Sequence, residues 1–177
     1  MTARPNPPEP ESNPHEVMPI AMPETMDPWI GRSLKKYALV ARLGRGGMGV
    51  VYLGEDTILK RVVAIKMISQ TLTGEANAVR RFLREARAAA QLQHANVASL
   101  YDIDKDQGVH FLVMEFVPGP TAQQLIEQGG LPWRAATQIV ADACRGLAAA
   151  HAAALIHRDI KPANIFLSQT GEVKLGD

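Results

Sequence analysis

The chain has 177 residues, 46% of them hydrophobic and 21% charged, with a formal net charge of +1. This composition describes a globular protein with one modest domain or two small lobes; disordered and fibrous classes are excluded, and no charge excess calls for a nucleic acid or an anionic membrane as partner. The single cysteine, Cys144, precludes an internal disulfide, no Cys/His cluster has metal-ligand spacing, and no run approaches the roughly 18 apolar residues of a membrane span. The expectation is a cytoplasmic chain without anchor or signal peptide.

Eight of the twelve prolines fall in the first 28 residues. Each removes a backbone donor and disfavours helix at the residue before it. Residues 1–36 are therefore expected to be a disordered, partly extended tail, with a Pro-rich ligand segment as the less economical reading.

From Tyr37 onward the pattern becomes regular. "YALVARLG" (37–44), "GVVYLGED" (49–56) and "VVAIKMI" (62–68) are β-branched and aromatic-rich runs of strand length, and they suggest antiparallel strands. Residues 75–92 carry helical spacing, with Val79, Phe82, Ala86 and Ala89 on one stripe. Strands follow at 97–103 and 109–117 on either side of a D-Q-G turn. Beyond Pro118 the texture becomes alanine-rich helix, including a long segment over 133–153 with Pro132 at its first turn. This order predicts an α+β protein with two lobes, 37–117 and 118–177.

Three groups of residues carry chemistry. Gly44, Gly46 and Gly49 stand in G-R-G-G-M-G-V-V. A dinucleotide site needs a helix directly after such glycines, whereas Val50 to Leu53 are strand formers, and no G-K-[ST] follows to make a P-loop. What remains is a hairpin whose backbone N–H groups can approach a polyphosphate without a Cβ in the way. Second, alternation puts Lys66 on one face with Val62, Ala64 and Ile68, so a cation stands in line with apolar neighbours and needs an anionic partner. Glu85, on or beside the apolar stripe of the helix, is the candidate; a snorkelling lysine and an unrelated helix glutamate are the alternative. Third, "HRDIKPANIF" (157–166) places His157, Arg158, Asp159, Lys161 and Asn164 in a polar loop between a helix and a strand. A charged loop, or metal binding by His157 with His151, are the competing readings, and neither accounts for the ordered set.

In this order the motifs resemble those of the protein kinase superfamily: Gly44 to Val51 as the glycine-rich loop, Val63 to Lys66 as V-A-I-K, His157 to Asn164 as the H-R-D loop with its asparagine, and Asp177 as the first residue of D-F-G. "LGRGGMGVVYLGED", "RFLREARAAAQLQHANV" and "HRDIKPANI" look especially like bacterial eukaryotic-like Ser/Thr kinases, and the resemblance runs from Tyr37 to the last residue.

The resemblance implies the roles. Asp159 would orient the acceptor hydroxyl, Lys161 would sit near the γ-phosphate, and Lys66, positioned by Glu85, would hold the α- and β-phosphates of ATP. Asn164 and Asp177 would supply oxygens to Mg2+, with Mn2+ as an alternative. The glycine loop from Gly44 through Arg45, Gly46, Gly47, Met48, Gly49 and Val50 to Val51 would cover the nucleotide. Adenine would lie between Leu43, Val51, Ala64 and Phe166, with Met114 as gatekeeper and backbone groups of Glu115 and Val117 bonding the base.

The implied partner is a protein with Ser or Thr acceptors; a homodimer through the N-lobe is an arrangement the resemblance also allows. The ending at V-K-L-G-D predicts a fragment, catalytically incompetent as given, with a bare helix face at Ile139, Val140, Ala143, Cys144 and Leu147. Cys144 is expected as a small core residue. A non-catalytic nucleotide-binding or regulatory module and a remnant that does not fold stably are the alternatives. Intact Lys66, Asp159 and Asn164 argue against the first of these.

Overall fold

A computed structural model describes residues 27–46, 49–68 and 76–176. Its first half is a six-stranded sheet in which every pairing is antiparallel. Strands β1 (Ser33–Leu34), β2 (Tyr37–Gly46), β3 (Gly49–Asp56), β4 (Arg61–Ile68), β5 (Leu100–Asp106) and β6 (Val109–Glu115) stand in the order β1-β2-β3-β4-β6-β5. Helix α1 (Ala76–Ala89) links β4 to β5 and packs on β5. The predicted stripe is visible: Ala86 is buried, and Val79, Phe82 and Ala89 are half-buried. The second half contains α2 (Ala122–Glu127), α3 (Trp133–Ala152), a 3-10 turn (Pro162–Asn164) and a hairpin of β7 (Ile165–Leu167) with β8 (Val173–Leu175). This is the α+β, two-part arrangement expected from the sequence.

Alternation explains the upper core. Val63, Ile65 and Met67 point from β4 into a cluster with Leu34, Tyr37, Leu39, Tyr52, Val109, Phe111 and Val113. The rings of Tyr37 and Phe111 meet edge to face at 6.1 Å. Burial also covers the other side of β4, where Ala64, Lys66 and Ile68 lie; only Val62, near the strand's start, stays open. The lower core is smaller, with Ala122, Ile139, Ala143, Ile165, Val173 and Leu175 packed with Leu131, Leu147 and Leu167.

Two expectations need correction here. The tail expected over 1–36 fails over 27–36, which are folded onto the sheet: the Gly31 N–H donates to Leu39 O at 2.9 Å, the Leu39 N–H donates to Arg32 O at 2.8 Å, and β1 pairs with β2, while residues 1–26 lie outside the described residues. Proline content near residue 28 obscured the apolar anchors Trp29 and Leu34 that follow it. On α3, which begins one residue after Pro132, the expected bare face is split. Ile139, Ala143, Gly146 and Ala150 turn inward with period 3 to 4, while Val140 and Cys144 are exposed. Cys144 is thus a surface thiol, because it stands one position past the buried stripe.

The halves are stitched by the segment between α1 and β5. The Ala98 N–H donates to Leu175 O at 2.7 Å, the Leu175 N–H donates to Asn96 O at 2.9 Å, and Asn96 Nδ2 donates to Val173 O at 2.8 Å. Gly146 of α3 makes room for this segment, since a Cβ there would collide with the Asn96 carbonyl oxygen. Gly146→Val is therefore expected to destabilise the chain by about 1–3 kcal/mol through overpacking. Thermal unfolding followed by circular dichroism checks this; an unchanged Tm would show that the loop can yield.

Candidate functional site

A cleft of ≈ 740 Å³ lies between the sheet and the helical half. The sheet lines it with Leu43, Gly44, Arg45, Gly46, Gly49, Val51, Ala64 and Lys66, and the crossing segment adds Met114, Glu115 and Val117. From below come Asp159, Lys161, Asn164 and Phe166. The structure thus brings together most of the residues singled out from sequence. Gly47, Met48 and Asp177 lie outside the described residues.

The upper wall follows from strand register. Gly44 faces Val51 across the β2–β3 ladder, Val51 faces Lys66, and Ala64 faces Met114. A slip in the β2–β3 register between Arg42 and Gly44 coincides with Leu43, the first cleft residue of the hairpin. Gly49 combines φ +150° with so close an approach to Met67 that a Cβ would collide with its carbonyl oxygen. No other residue type fits there. Val50 departs from expectation. It pairs with Met67 and packs on the upper core, away from the cleft, because alternation sends it to the face opposite Val51.

Lys66 is 6% exposed, and burial pushes its ammonium pKa down to about 8, with Asp159 opposing and Lys161 adding to the fall. Glu85, expected beside it, stands in an ion pair with Arg158, whose Nη1 donates to Glu85 Oε1 at 3.1 Å. Both side chains are well exposed, at 66% and 45%, so this pair contributes little to stability. Glu85 does not line the cleft. Alternation and helical spacing could place it on the inward side of α1 but could not reveal Arg158 as a competing cation.

The H-R-D loop is held by its own histidine. The Asp159 N–H donates to His157 Nδ1 at 3.4 Å, so Nε2 carries the proton and donates to Gly176 O at 3.1 Å. Both ring nitrogens are thereby committed to the backbone, and the His157/His151 metal reading falls. Among the described residues no group of three His, Cys, Asp or Glu side chains is arranged to hold a metal.

Asp159 is bonded within its own loop. Lys161 Nζ lies 2.7 Å from its Oδ2, and Asn164 Nδ2 donates to its carbonyl oxygen at 2.9 Å and to Oδ2 at 3.1 Å. The bond from Lys161, then that from Asn164, holds the carboxyl below its ordinary range. It is therefore ionised at neutral pH, an acceptor able to orient a hydroxyl. Asn164 is buried, with its amide nitrogen turned to Asp159; its side-chain oxygen is a hard donor of the kind Mg2+ takes.

Sequence reasoning missed several cleft residues. Thr121, Gln123 and Gln124 line it at the start of α2. There Thr121 and Gln124 form a capping box: the Gln124 N–H donates to Thr121 Oγ1 at 3.2 Å and the Thr121 N–H donates to Gln124 Oε1 at 2.8 Å. The T-x-x-Q spacing was legible and would have marked this helix start. Glu115 also has an unforeseen role. Its carboxylate takes Lys174 Nζ at 2.9 Å and the Ser99 N–H at 3.1 Å, while its own N–H donates to Ser99 O at 2.8 Å, so only its carbonyl remains for a base.

A curled antiparallel sheet joined to helices, with a glycine hairpin over a buried lysine and an aspartate–lysine–asparagine loop opposite, is the architecture of the protein kinase fold. The chain belongs to the protein kinase domain family, whose sequence profile matches residues 37–177. It is 42% identical over 143 residues to serine/threonine-protein kinase PknL of Mycobacterium tuberculosis, covering 80% of this chain and 36% of that protein. To serine/threonine-protein kinase PrkC of Bacillus subtilis it is 38% identical over 150 residues, covering 84% and 23%. The crystal structure of the Mycobacterium tuberculosis PknI kinase domain superposes with a TM-score of 0.73 at 30% identity, covering 83% of this chain and 61% of that one. The chain thus spans about a third or less of these curated relatives.

Proposed function

We propose that this chain is the nucleotide-binding and catalytic-loop part of a Ser/Thr protein kinase that transfers the γ-phosphoryl group of ATP to a protein hydroxyl. The observation that carries this reading is the convergence of Lys66, Asp159, Lys161 and Asn164 on one cleft beneath the glycine hairpin. Residues 37–117 act as the lobe that holds the nucleotide, and 118–177 as the part of the second lobe that carries the catalytic loop.

Phosphoryl transfer asks the protein for alignment and charge neutralisation more than for covalent chemistry. Lys66 holds α- and β-phosphate oxygens as a cation. Leu43, Val51, Ala64 and Phe166 give the adenine an apolar slot next to Met114, and the Val117 backbone with the Glu115 carbonyl offers it hydrogen-bonding edges. Asp159 accepts the hydrogen bond of the incoming Ser or Thr hydroxyl and points its oxygen lone pair at phosphorus; the new O–P bond forms as the bond to the β–γ bridging oxygen breaks, and the hydroxyl proton leaves towards Asp159. Lys161, two residues on, neutralises charge on the transferred group. Mg2+, or Mn2+ in its place, would screen the charge of the phosphates when bound, with the Asn164 side-chain oxygen and Asp177 as its protein donors.

Among the described residues no helix is long and apolar enough to cross a membrane. The near-neutral charge and single cysteine support a cytoplasmic location acting on protein rather than nucleic-acid substrates. The test is incubation of the gene product, at its native length, with MgATP and a generic protein substrate, followed by mass spectrometry of the product. Phosphoserine and phosphothreonine are expected; phosphotyrosine alone, or no MgATP binding, would overturn the reading.

A further inference from the structure

The segment before β1 does more than lie on the sheet. Asp27 is nearly buried, at 10% side-chain exposure. Its carboxylate receives the Tyr52 hydroxyl at 3.1 Å to each oxygen, Arg42 Nη1 at 3.4 Å and the Trp29 N–H at 3.1 Å. Arg42 and Tyr52 face each other across the β2–β3 ladder, immediately before the register slip at Leu43. The next residue on each strand, Leu43 and Val51, lines the cleft. Behind the carboxylate, Trp29 packs against the upper core, and the strap adds two backbone bonds to β2 through Gly31 and Arg32. One acid on a segment outside the matched kinase region thus grips both strands of the glycine hairpin at its root. Burial and the Asp27 hydrogen bond push the Tyr52 phenol up to about 12, so the Tyr52 hydroxyl keeps its proton and remains a donor at any physiological pH.

We propose that Asp27 is a positioning residue for nucleotide binding: by clamping the Arg42–Tyr52 pair it sets the register slip that turns Leu43 into the cleft and fixes the height of the glycine hairpin. The nucleotide part of this proposal rests on the kinase reading above. Held groups at a hairpin root restrict the motions available to its tip, and a ligand that needs one tip position binds more tightly when the others are depopulated.

The gene product at its native length, the parent chain, is compared with its Asp27→Ala, Tyr52→Phe, double, Asp27→Asn and Arg32→Ala variants. The readouts are titration with a fluorescent N-methylanthraniloyl ATP in Mg2+, amide hydrogen exchange over residues 42–52 without nucleotide, and Tm. Asp27→Ala and Tyr52→Phe are each expected to weaken affinity about threefold to tenfold, with the double variant no weaker than the worse single one. Exchange over 42–52 should rise in the same variants. Asp27→Asn keeps an acceptor for the Tyr52 hydroxyl and should recover most of the affinity. Arg32→Ala removes only the cation over the Trp29 ring and should match the parent chain.

Equal affinity in parent and Asp27→Ala chains, or independent effects in the double variant, would overturn the proposal, as would a lowered Tm with unchanged affinity and exchange. Should the parent chain bind no nucleotide, the kinase reading fails, and the exchange data alone then judge the clamp: unchanged exchange at 42–52 sinks it, and raised exchange upholds its mechanical half.

Discussion

In the gene product at its native length, Asp159→Asn is expected to lower phosphotransfer by about 10²–10⁴ while leaving MgATP affinity within about twofold. The substitution preserves shape, but it removes the negative charge that Lys161 pairs with at 2.7 Å and that the proposed mechanism uses to orient the hydroxyl. Because the carboxyl sits below its ordinary range, it is ionised at neutral pH, and the amide that replaces it could neither align the hydroxyl by charge nor receive its proton. Steady-state rates with labelled ATP, alongside nucleotide titration, check this. Full activity in the variant would remove Asp159 from the mechanism, and a parallel loss of nucleotide affinity would make it a structural residue.

Lys66→Met is expected to weaken ATP affinity about tenfold to a hundredfold, the scale of a charge-assisted hydrogen bond inside a closed site. The pH dependence makes the prediction sharper. The pKa of Lys66 is about 8 in the folded chain, against 10.5 for an unperturbed lysine, and phosphate binding needs the protonated form. Affinity should therefore hold below pH 8 and fall with rising pH above it, approaching one proton per nucleotide; in Lys66→Met this slope should vanish. Stability moves the other way. The folded pKa lies below the unfolded one, so the unfolded chain binds more protons between pH 8 and 10.5. The destabilisation by the buried ammonium is complete below pH 8 and relaxes as pH rises through that window. Chemical denaturation of both chains at pH 7 and 10 reads this directly: the advantage of Lys66→Met should shrink at the higher pH.

What the sequence disclosed, and what it did not, divides along physical lines. Short-range regularities were legible. Runs of β-branched and aromatic residues located β3 and β4, alternation put Lys66 on one face with Ala64 and Ile68, helical spacing located α1 with Ala86 inward, and glycines before strand formers marked a hairpin instead of a phosphate-binding helix start. Reading the glycine run as a contiguous block erred at Val50, because a strand sends neighbours to opposite faces. Long-range choices were not legible. Glu85 had several cations in reach, and its pairing with Arg158 depends on a residue 73 positions away. The ties from Asp27 to Tyr52 and from Glu115 to Lys174 span 25 and 59 positions, and neither follows from local pattern. Proline composition averages over a window, and it missed the packing of residues 27–36 on the sheet.

The stitch of Asn96, Ala98 and Leu175, with Glu115 and Lys174 closing on it, joins the halves by main-chain bonds and a half-buried ion pair. A second tie between them, Glu85 with Arg158, is an exposed pair that yields far more readily. Any parting of the two walls would therefore pivot on the stitch. Loosening that seam at Gly146 or Lys174 would let the pivot wander, so that a substitution outside the cleft lining would be felt in how its walls meet.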